Sequence, residues 1–303
     1  MGLPVQPSLP AGLSSPAMSA ASGNLVSLGS LLFNTTEADE FGTVWTLSDL
    51  KNWDGTAEAD VEFVKRPRAF GSLASEATEK HRVLELTGSF DVNDPSELQS
   101  AISRLNAAAS LEKTVLGVNE AGLVRHMTVQ REDKVIVERI NTTQAEFSLQ
   151  VVAEDPRKYG DLITSWTGLP ASSGGLVYPI TYPVTYSGVT TSGVIAINNT
   201  GDTEAPVWLK VEGSVPTGGW LVSNSTQGKT LSFSTTYALA SDEFVTIDMD
   251  EREVLAQGQS ARSGLITQRG WFSLDPGLNE IAFTATNYDP TAKLTVYTMS
   301  AWS

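Results

Sequence analysis

Three carboxylate residues with a possible chemical role lie close together in the last quarter of the chain: Asp248, Asp250 and Glu251. A glycoside hydrolase needs two carboxylates that face each other across a cleft. Asp248 and Asp250 would share one face of a continued strand, with Cα atoms about 7 Å apart. However, DMDERE reads more simply as a polar hairpin turn between FVTI and VLAQ. We therefore nominate no catalytic residue and predict that the protein is not an enzyme.

Metal and cofactor chemistry has little support in the sequence. The chain has no cysteine and only two histidines, His81 and His126. These lie in separate strand-like segments and lack the spacing of a helical metal motif. Phosphate-cradling glycine motifs and nucleophile elbows are also absent from the sequence. We predict no metal and no cofactor.

The stretch INNTGDTEAPVWLKVEG, residues 197–213, raises a further question of ion binding. A calcium site there would use Asp202, Glu204 and backbone carbonyls, but the regularly spaced carboxylates of a calcium loop are missing. Asn, Gly, Asp and Thr also tolerate tight turns, and Pro206 suits the start of a strand. The pattern therefore favours a turn between two strands.

Tryptophans are the remaining candidates for ligand contact, because carbohydrate-binding proteins use aromatic faces. Trp208, Trp220 and Trp271 all fall in the C-terminal half. They are weak candidates for sugar binding, since tryptophan is more often packed in a core or an interface.

The charge pattern limits the partners of the protein. The 303 residues include 35 acidic and 20 basic ones, which gives a net charge of −15. Both halves of the chain are acidic, so duplex DNA binding is disfavoured. No apolar run reaches transmembrane length, and we predict no membrane contact. Residues 1–24, rich in Pro, Ser, Ala and Gly, are predicted to be an extended arm that docks on another protein.

The pattern in residues 25–160 predicts a β-rich domain with one helix. HRVLELTGSF alternates as a half-buried strand does. The helix is predicted at about 94–110, with Asp94 as its cap, Pro95 in the first turn and Glu97 in a capping box. Short β-branched runs then predict paired hairpins. RPRAFGSLASEATEKHR, residues 66–82, is predicted to be an exposed loop that faces solvent or a partner.

Residues 161–192 are nearly uncharged and rich in Pro, Gly and Tyr, which predicts a linker. Residues 193–303 contain nine strand-like runs at roughly ten-residue intervals, among them FVTIDM and GWFSL. This spacing predicts an antiparallel β-sandwich, so the fold class is mainly β.

Several pieces of the sequence occur in an order that resembles one protein family. In the C-terminal half they are NTGDTEAP, a strand closed by Gly213, the FVTIDMDEREV hairpin and GWFSLDPGLNEIAF. In the N-terminal half they are the strand ELTGSF, the helix, two hairpins and VVAEDPRKYG, with Asp155, Pro156 and Tyr159. Together they resemble the distal tail (Dit) proteins of long-tailed, non-contractile, siphovirus-type bacteriophages, over residues 25–303.

The resemblance implies an architecture and a place in the virion. It implies an N-terminal, ring-forming β domain and a galectin-like C-terminal sandwich. Six copies would form a ring at the distal end of the tail, between the tail tube protein and the tail-tip hub protein. Such rings often carry receptor-binding proteins, and the genome passes through the lumen without specific binding. An acidic chain could line this channel without retaining DNA.

Two other functions remain open. A galectin sugar site includes a histidine, but none follows His126, so the resemblance carries no sugar-binding residue over to this chain. A carbohydrate-binding module with an accessory domain would instead need exposed tryptophans. A glycoside hydrolase would need two opposed carboxylates. A structural virion protein is the first hypothesis.

Overall fold

A computed structural model describes residues 25–75, 77–173 and 189–303. The predicted arm, 1–24, and residues 174–188 of the predicted linker lie outside the described residues. The described chain divides into two compact units, 25–161 and 162–302. Residues 162–168, at the start of the predicted linker, belong to a strand.

The N-terminal unit is mainly antiparallel β-structure with one α-helix among its described residues. The helix is α1, Leu98–Ala108. The strands that begin in this unit are β1 Leu25–Leu28, β2 Leu31–Phe33, β3 Thr43–Lys51, β4 Ala59–Asp60, β5 Phe63–Lys65, β6 Ser72–Ala74, β7 Thr78–Glu79, β8 Arg82–Val92, β9 Thr114–Glu120, β10 Leu123–Arg131, β11 Ile136–Arg139, β12 Gln144–Ala153 and β13 Lys158–Gly168. Two sheets have the orders β2-β1-β9-β10 and β3-β8-β12-β11, and β12 also pairs briefly with β10.

The core of this unit follows from the two periodicities of the sequence. In β8 every second side chain is buried, as the alternation predicts. On α1 the buried side chains, such as Leu98 and Leu105, recur at helical spacing. Aromatic rings complete the core, for example Trp45 and Phe90, whose centroids are 4.8 Å apart.

The helix begins differently from the predicted capping box. Asp94 accepts a hydrogen bond from the Ser96 amide at 2.9 Å, but it caps a 3-10 turn, Pro95–Glu97. The α-helix starts after this turn, and Glu97 makes no side-chain cap hydrogen bond. The predicted helix is thus present, while its first turn is tighter than expected.

The predicted loop at residues 66–82 is part of a long, exposed hairpin. Near its base β4 pairs with β7, and further out β5 pairs with β6. The described side chains of all four strands are exposed. The prediction of exposure was right for most of this segment but wrong for Arg82, which is 2% exposed at the start of β8, and much of the segment forms strands.

The C-terminal unit contains two antiparallel sheets. The strands that begin in this unit are β14 Ala171–Ser173, β15 Val189–Thr191, β16 Val194–Asn199, β17 Val207–Glu212, β18 Trp220–Asn224, β19 Lys229–Phe233, β20 Phe244–Asp248, β21 Glu253–Ala256, β22 Ser260–Ala261, β23 Ile266–Arg269, β24 Gly277–Ala285 and β25 Lys293–Trp302. One sheet has the order β25-β17-β20-β21-β22, and the other has the order β16-β24-β18-β19-β23. A 3-10 turn, Ser263–Leu265, precedes β23. No described helix is long and apolar enough to cross a membrane.

The predicted mainly β fold with antiparallel sheets is confirmed, and the likeness to galectins stays a prediction. One predicted strand was wrong. GWFSL forms no strand of its own, because β23 ends at Arg269 and only Leu274 makes an isolated bridge, to Ala205. The alternation of apolar and polar residues in GWFSL reflects an extended connecting segment that is hydrogen-bonded to neighbouring backbone at both ends.

Gly88 provides a test of packing in the N-terminal unit. A Cβ at this position would lie 2.2 Å from the Thr46 carbonyl oxygen and 2.8 Å from the Phe147 ring. The register of β3 against β8 shifts between Leu47 and Asp49, next to this close approach. We expect Gly88→Ala to lower the free energy of unfolding by about 3 kcal/mol in urea denaturation. Ser89→Ala, the matched control in the same strand, should change it by less than about 0.5 kcal/mol.

Candidate functional site

The acidic group at residues 248–251 forms a hairpin turn between β20 and β21. One oxygen of the Asp248 carboxylate accepts hydrogen bonds from the backbone amides of Asp250 and Glu251, both at 3.0 Å. Its other oxygen accepts one from the Trp208 indole at 2.9 Å. These bonds fix the turn and orient Asp248 towards the turn and Trp208. This arrangement explains the carboxylates as turn residues, as the polar stretch DMDERE predicted.

Asn199 organises the turn that first raised the question of ion binding. Its buried side-chain amide donates to the carbonyl oxygens of Thr203 at 2.7 Å and Leu274 at 3.1 Å. Its side-chain oxygen accepts from the amides of Gly201 at 3.0 Å and Ala301 at 3.3 Å. One side chain therefore joins the end of β16, the connection before β24 and the end of β25.

The glycines of this region permit close backbone contacts. A Cβ at Gly201 would lie 1.7 Å from the Ala301 carbonyl oxygen. Gly213 has a φ of +86°, and a Cβ there would lie 2.1 Å from the Thr291 carbonyl oxygen. Among the acidic residues, Glu204 accepts a hydrogen bond from the Ser273 hydroxyl at 2.5 Å. The stretch is therefore a strand-linking turn with structural hydrogen bonds.

The three tryptophans that are weak candidates for sugar binding, Trp208, Trp220 and Trp271, lie in different environments. Trp220 is 2% exposed and stacks on Phe233, with ring centroids 3.9 Å apart. Trp208 is half-buried and holds Asp248, and Trp271 is half-buried in the connection between β23 and β24. Trp220 is a core residue, which removes it as a platform for a sugar ring.

The sequence reasoning missed Trp166, at the end of β13. At 67% exposure it is the most exposed of the seven tryptophans, all of which lie in the described residues. The Lys293 ammonium lies 5.3 Å from the centre of its ring. An exposed aromatic face with a neighbouring cation is a typical contact residue, whether the partner is a sugar or a protein.

The two histidines lie in different environments. His81 is exposed, and His126 is buried in β10, with its ring centroid 6.4 Å from that of Tyr159. Burial lowers the pKa of His126, although the Asp161 carboxylate opposes this shift. Neither histidine belongs to a described group of three residues that could hold a metal ion.

Asp155 explains the EDPRKYG motif near the end of the N-terminal unit. Its carboxylate accepts hydrogen bonds from the Arg157 guanidinium at 3.0 and 2.8 Å, from the Arg157 amide and from the Tyr159 hydroxyl. Burial by itself raises the pKa of Asp155, but the bonds from Arg157 and Tyr159 outweigh burial and lower the pKa below its ordinary value. The motif thus fixes the chain where β13 begins.

A buried cationic cluster around Trp53 was not predicted. The carbonyl oxygen of Trp53 accepts hydrogen bonds from Lys158 at 2.9 Å and from Arg82 at 3.2 Å. Its indole donates to Glu120 at 3.0 Å, and Glu120 also pairs with Arg125. Burial lowers the pKa of Arg82, which the Glu79 carboxylate opposes.

This cluster has a positional role. Arg82 also donates to the carbonyl oxygen of Gly55 at 2.7 Å, so it holds the segment that leads into β4. Nearby, Lys80 and Glu58 form a salt bridge of 3.1 Å across the start of the hairpin. The cations therefore anchor the base of the exposed hairpin. The cluster joins residues from distant parts of the sequence, so no local pattern could have indicated that they meet: Trp53, Arg82, Glu120, Arg125 and Lys158.

Comparisons with known proteins agree with this geometry. Residues 200–297 match the family model described as the siphovirus-type tail component, C-terminal domain. The crystal structure of Dit (gp 19.1) of phage SPP1, described as a paradigm of the hub adsorption apparatus in phages that infect Gram-positive hosts, is similar. It has a TM-score of 0.58 and 13% sequence identity, over 83% of this chain and 91% of that one.

Two structures of the phage P2 baseplate in its activated conformation are also similar, each with 9% identity. The form with Ca has a TM-score of 0.47 over 91% of this chain and 98% of that one. The form with Sr has a TM-score of 0.46 over 90% and 97%. A comparison with curated proteins finds no match.

Residues 200–297 of the C-terminal unit are therefore similar to the C-terminal domain of siphovirus-type tail components. The family match and the Dit-like fold confirm the predicted resemblance to distal tail proteins. Both matches are to components of phage tails or of their adsorption apparatus.

Asn199 should be essential for the stability of the sandwich. We expect Asn199→Ala to lower the free energy of unfolding of the C-terminal unit by about 3 kcal/mol, because it leaves buried carbonyl and amide groups without partners. Denaturation followed by tryptophan fluorescence, to which the buried Trp220 contributes, measures this change. Asn198→Ala, at the exposed neighbouring position of β16, is the matched control. Equal stability of the two variants would contradict the role of Asn199.

His126 should make stability depend on pH. Because its pKa is lowered in the folded protein, the unfolded chain binds a proton that the folded chain does not as the pH falls below about 6.5. We expect the free energy of unfolding to fall by up to about 1.4 kcal/mol per pH unit in this range. His126→Leu should remove this part of the slope in denaturant titrations from pH 7.5 to 5.5. His81→Gln should retain it.

Proposed function

We propose that this protein forms a ring that joins the tail tube to the tail-tip hub and offers its C-terminal sandwich to receptor-binding proteins. The family match of the sandwich and the Dit-like fold support this role. In this proposal the N-terminal unit makes the contacts between subunits. Six copies form the ring, as the resemblance to distal tail proteins implies.

The distribution of exposed apolar residues carries the proposal. Fifteen large hydrophobic side chains are exposed among the described residues, and ten of them lie in the N-terminal unit. Clusters of exposed apolar side chains are typical of protein-protein contacts, whereas scattered ones are normal on any protein surface. One such cluster is Phe63, Val64, Phe70 and Leu73 on the hairpin of β5 and β6. A repeated contact between two different surfaces of this unit would generate a closed ring.

The C-terminal unit offers a smaller set of candidate contacts. Trp166, Leu278 and Tyr288 are exposed there. In the proposed assembly these residues are available to a receptor-binding protein at the outside of the ring. A carbohydrate-binding role is the second candidate function, and the exposed face of Trp166 is the observation that favours it.

The acidic character of the chain suits the proposed channel. At a net charge of −15 per chain, a ring of six copies would repel the phosphate backbone. DNA could then pass through the lumen without specific binding. A lumen lined by basic residues in the assembled ring would contradict this part of the proposal.

The mass of the full-length chain in solution tests ring formation. Six copies of the 32.4-kDa chain have a mass of about 194 kDa, which light scattering separates clearly from a monomer. We expect this mass, with closed rings in negative-stain images, either for the chain alone or after addition of the tail tube protein as a template. A monomer under both conditions would contradict the ring. Binding of host wall polysaccharide that is lost in Trp166→Ala would then favour the carbohydrate-binding function.

A further inference from the structure

The outer part of the long hairpin, residues 63–74, combines exposed apolar groups with positive charge. We call it the basic tip. Phe63, Val64, Phe70 and Leu73 are between 55% and 101% exposed. The three charged residues of the segment are Lys65, Arg66 and Arg68, and it contains no acidic residue. On an acidic chain this is a local reversal of charge.

Neither face of the basic tip is buried against the rest of the N-terminal unit. Phe63 and Val64 are consecutive in β5 and point to opposite faces of the ladder, yet both are exposed. The pairing of β5 with β6 orders the backbone, and Arg82 and Lys158 anchor the segment that leads into the base. The structure thus presents apolar side chains on an ordered support, away from the core of the unit.

A second surface of the same unit has the opposite character. A groove of about 580 Å³ lies beside β2 and the segment that follows it. Leu31, Leu32 and Trp45 contribute its apolar lining, and Glu37 and Asp39 contribute carboxylates. Glu40 is exposed close by in the sequence. We call this surface the acidic groove.

The wall of the acidic groove is held by internal contacts. Asp39 accepts hydrogen bonds from the Thr43 amide at 2.8 Å and the Trp45 indole at 2.9 Å. Arg104 of α1 lies 3.5 Å from Asp39, and its guanidinium carbon is 4.4 Å from the centre of the Phe41 ring. Asp39 therefore shapes the groove, while the exposed carboxylates of Glu37 and Glu40 remain at the surface for an incoming cation.

We propose that the basic tip of one copy docks in the acidic groove of a neighbouring copy. Phe70, the most exposed side chain of the tip, enters the groove, and Arg66 and Arg68 face Glu37 and Glu40. The tip and the groove are different surfaces of one unit, so the contact is head-to-tail and can repeat around a ring. This inference rests on the proposed ring and names the surfaces that close it.

The composition of the tip favours a protein partner over nucleic acid. Three cations suffice for a few phosphate contacts, but phosphates would leave four large apolar side chains exposed to water. A groove with apolar walls and carboxylates can cover the apolar side chains of the tip and also pair with its cations. Charge complementarity of this kind also selects the correct partner surface and speeds association.

Engineered disulfides test the contact directly, because the chain contains no cysteine. Phe70→Cys and Thr36→Cys place one thiol on the exposed tip and one in the groove wall. Equal amounts of the two full-length variants are mixed and oxidised mildly. We expect a cross-linked heterodimer at about fivefold the yield of a mixture of Phe70→Cys with Leu111→Cys, another exposed position of the same unit. A chain with both substitutions should give a ladder of cross-linked species that ends at the ring.

Reversal of the charges on the tip and beside the groove provides a second test of the contact. Arg66→Glu with Arg68→Glu in the Phe70→Cys chain should reduce the heterodimer yield about fivefold, because like charges then meet in the groove. Glu37→Lys with Glu40→Lys in the Thr36→Cys chain should restore it. All four positions are exposed, so the variants should fold as the parent chain does.

The outcomes separate this inference from the proposed function. Rings that form without preferential cross-linking, or with equal cross-linking to Leu111→Cys, would overturn the docking of tip and groove but leave the ring intact. A specific heterodimer without rings would support the contact and contradict ring closure. Failure of the charge reversal, together with duplex DNA binding that Arg66→Glu and Arg68→Glu abolish, would overturn the inference in favour of a nucleic-acid contact.

Discussion

Each unit depends on buried polar side chains that satisfy backbone groups where chain segments meet. In the C-terminal sandwich the amide of Asn199 bonds to four backbone groups from three segments. In the N-terminal unit Arg82 and Lys158 share the carbonyl oxygen of Trp53. A buried backbone group without a partner costs free energy comparable to a lost hydrogen bond. These few side chains therefore decide which segments can lie together.

The need to satisfy buried backbone groups also explains the conspicuous sequence motifs, which serve the fold and form no binding site. The NTGDTEAP turn and the EDPRKYG motif both carry the family resemblance, and the structure gives each a structural role. Asn199 and Gly201 permit a close crossing, and Asp155 fixes the start of β13. The two motifs on which the resemblance rests therefore locate no binding surface. Function must be sought among exposed residues, where the sequence has no comparable signal.

Sequence periodicity predicted the elements well where one face is buried. The alternation in β8 and the helical spacing of α1 both correspond to buried faces. Periodicity was wrong for GWFSL. Phe272 and Leu274 are buried there, but they belong to an extended connection that pairs with no full strand. The turn at Asp248 could be predicted from its polar composition. The Trp53 cluster could not, since it joins residues from Trp53 to Lys158 that meet only through the tertiary fold.

Exposure also could not be predicted from residue type. Trp220 and Trp166 both lie in strands of the structure, yet one stacks in the core and the other lies at the surface. For the hairpin, charge and composition indicated exposure but not an ordered ladder. An ordered, apolar hairpin costs solvation free energy in an isolated chain. That cost is offset if a neighbouring copy covers the tip, and the same contact would place the positive tip against carboxylates. One contact would then cover both the exposed apolar side chains and the exposed cations of the tip.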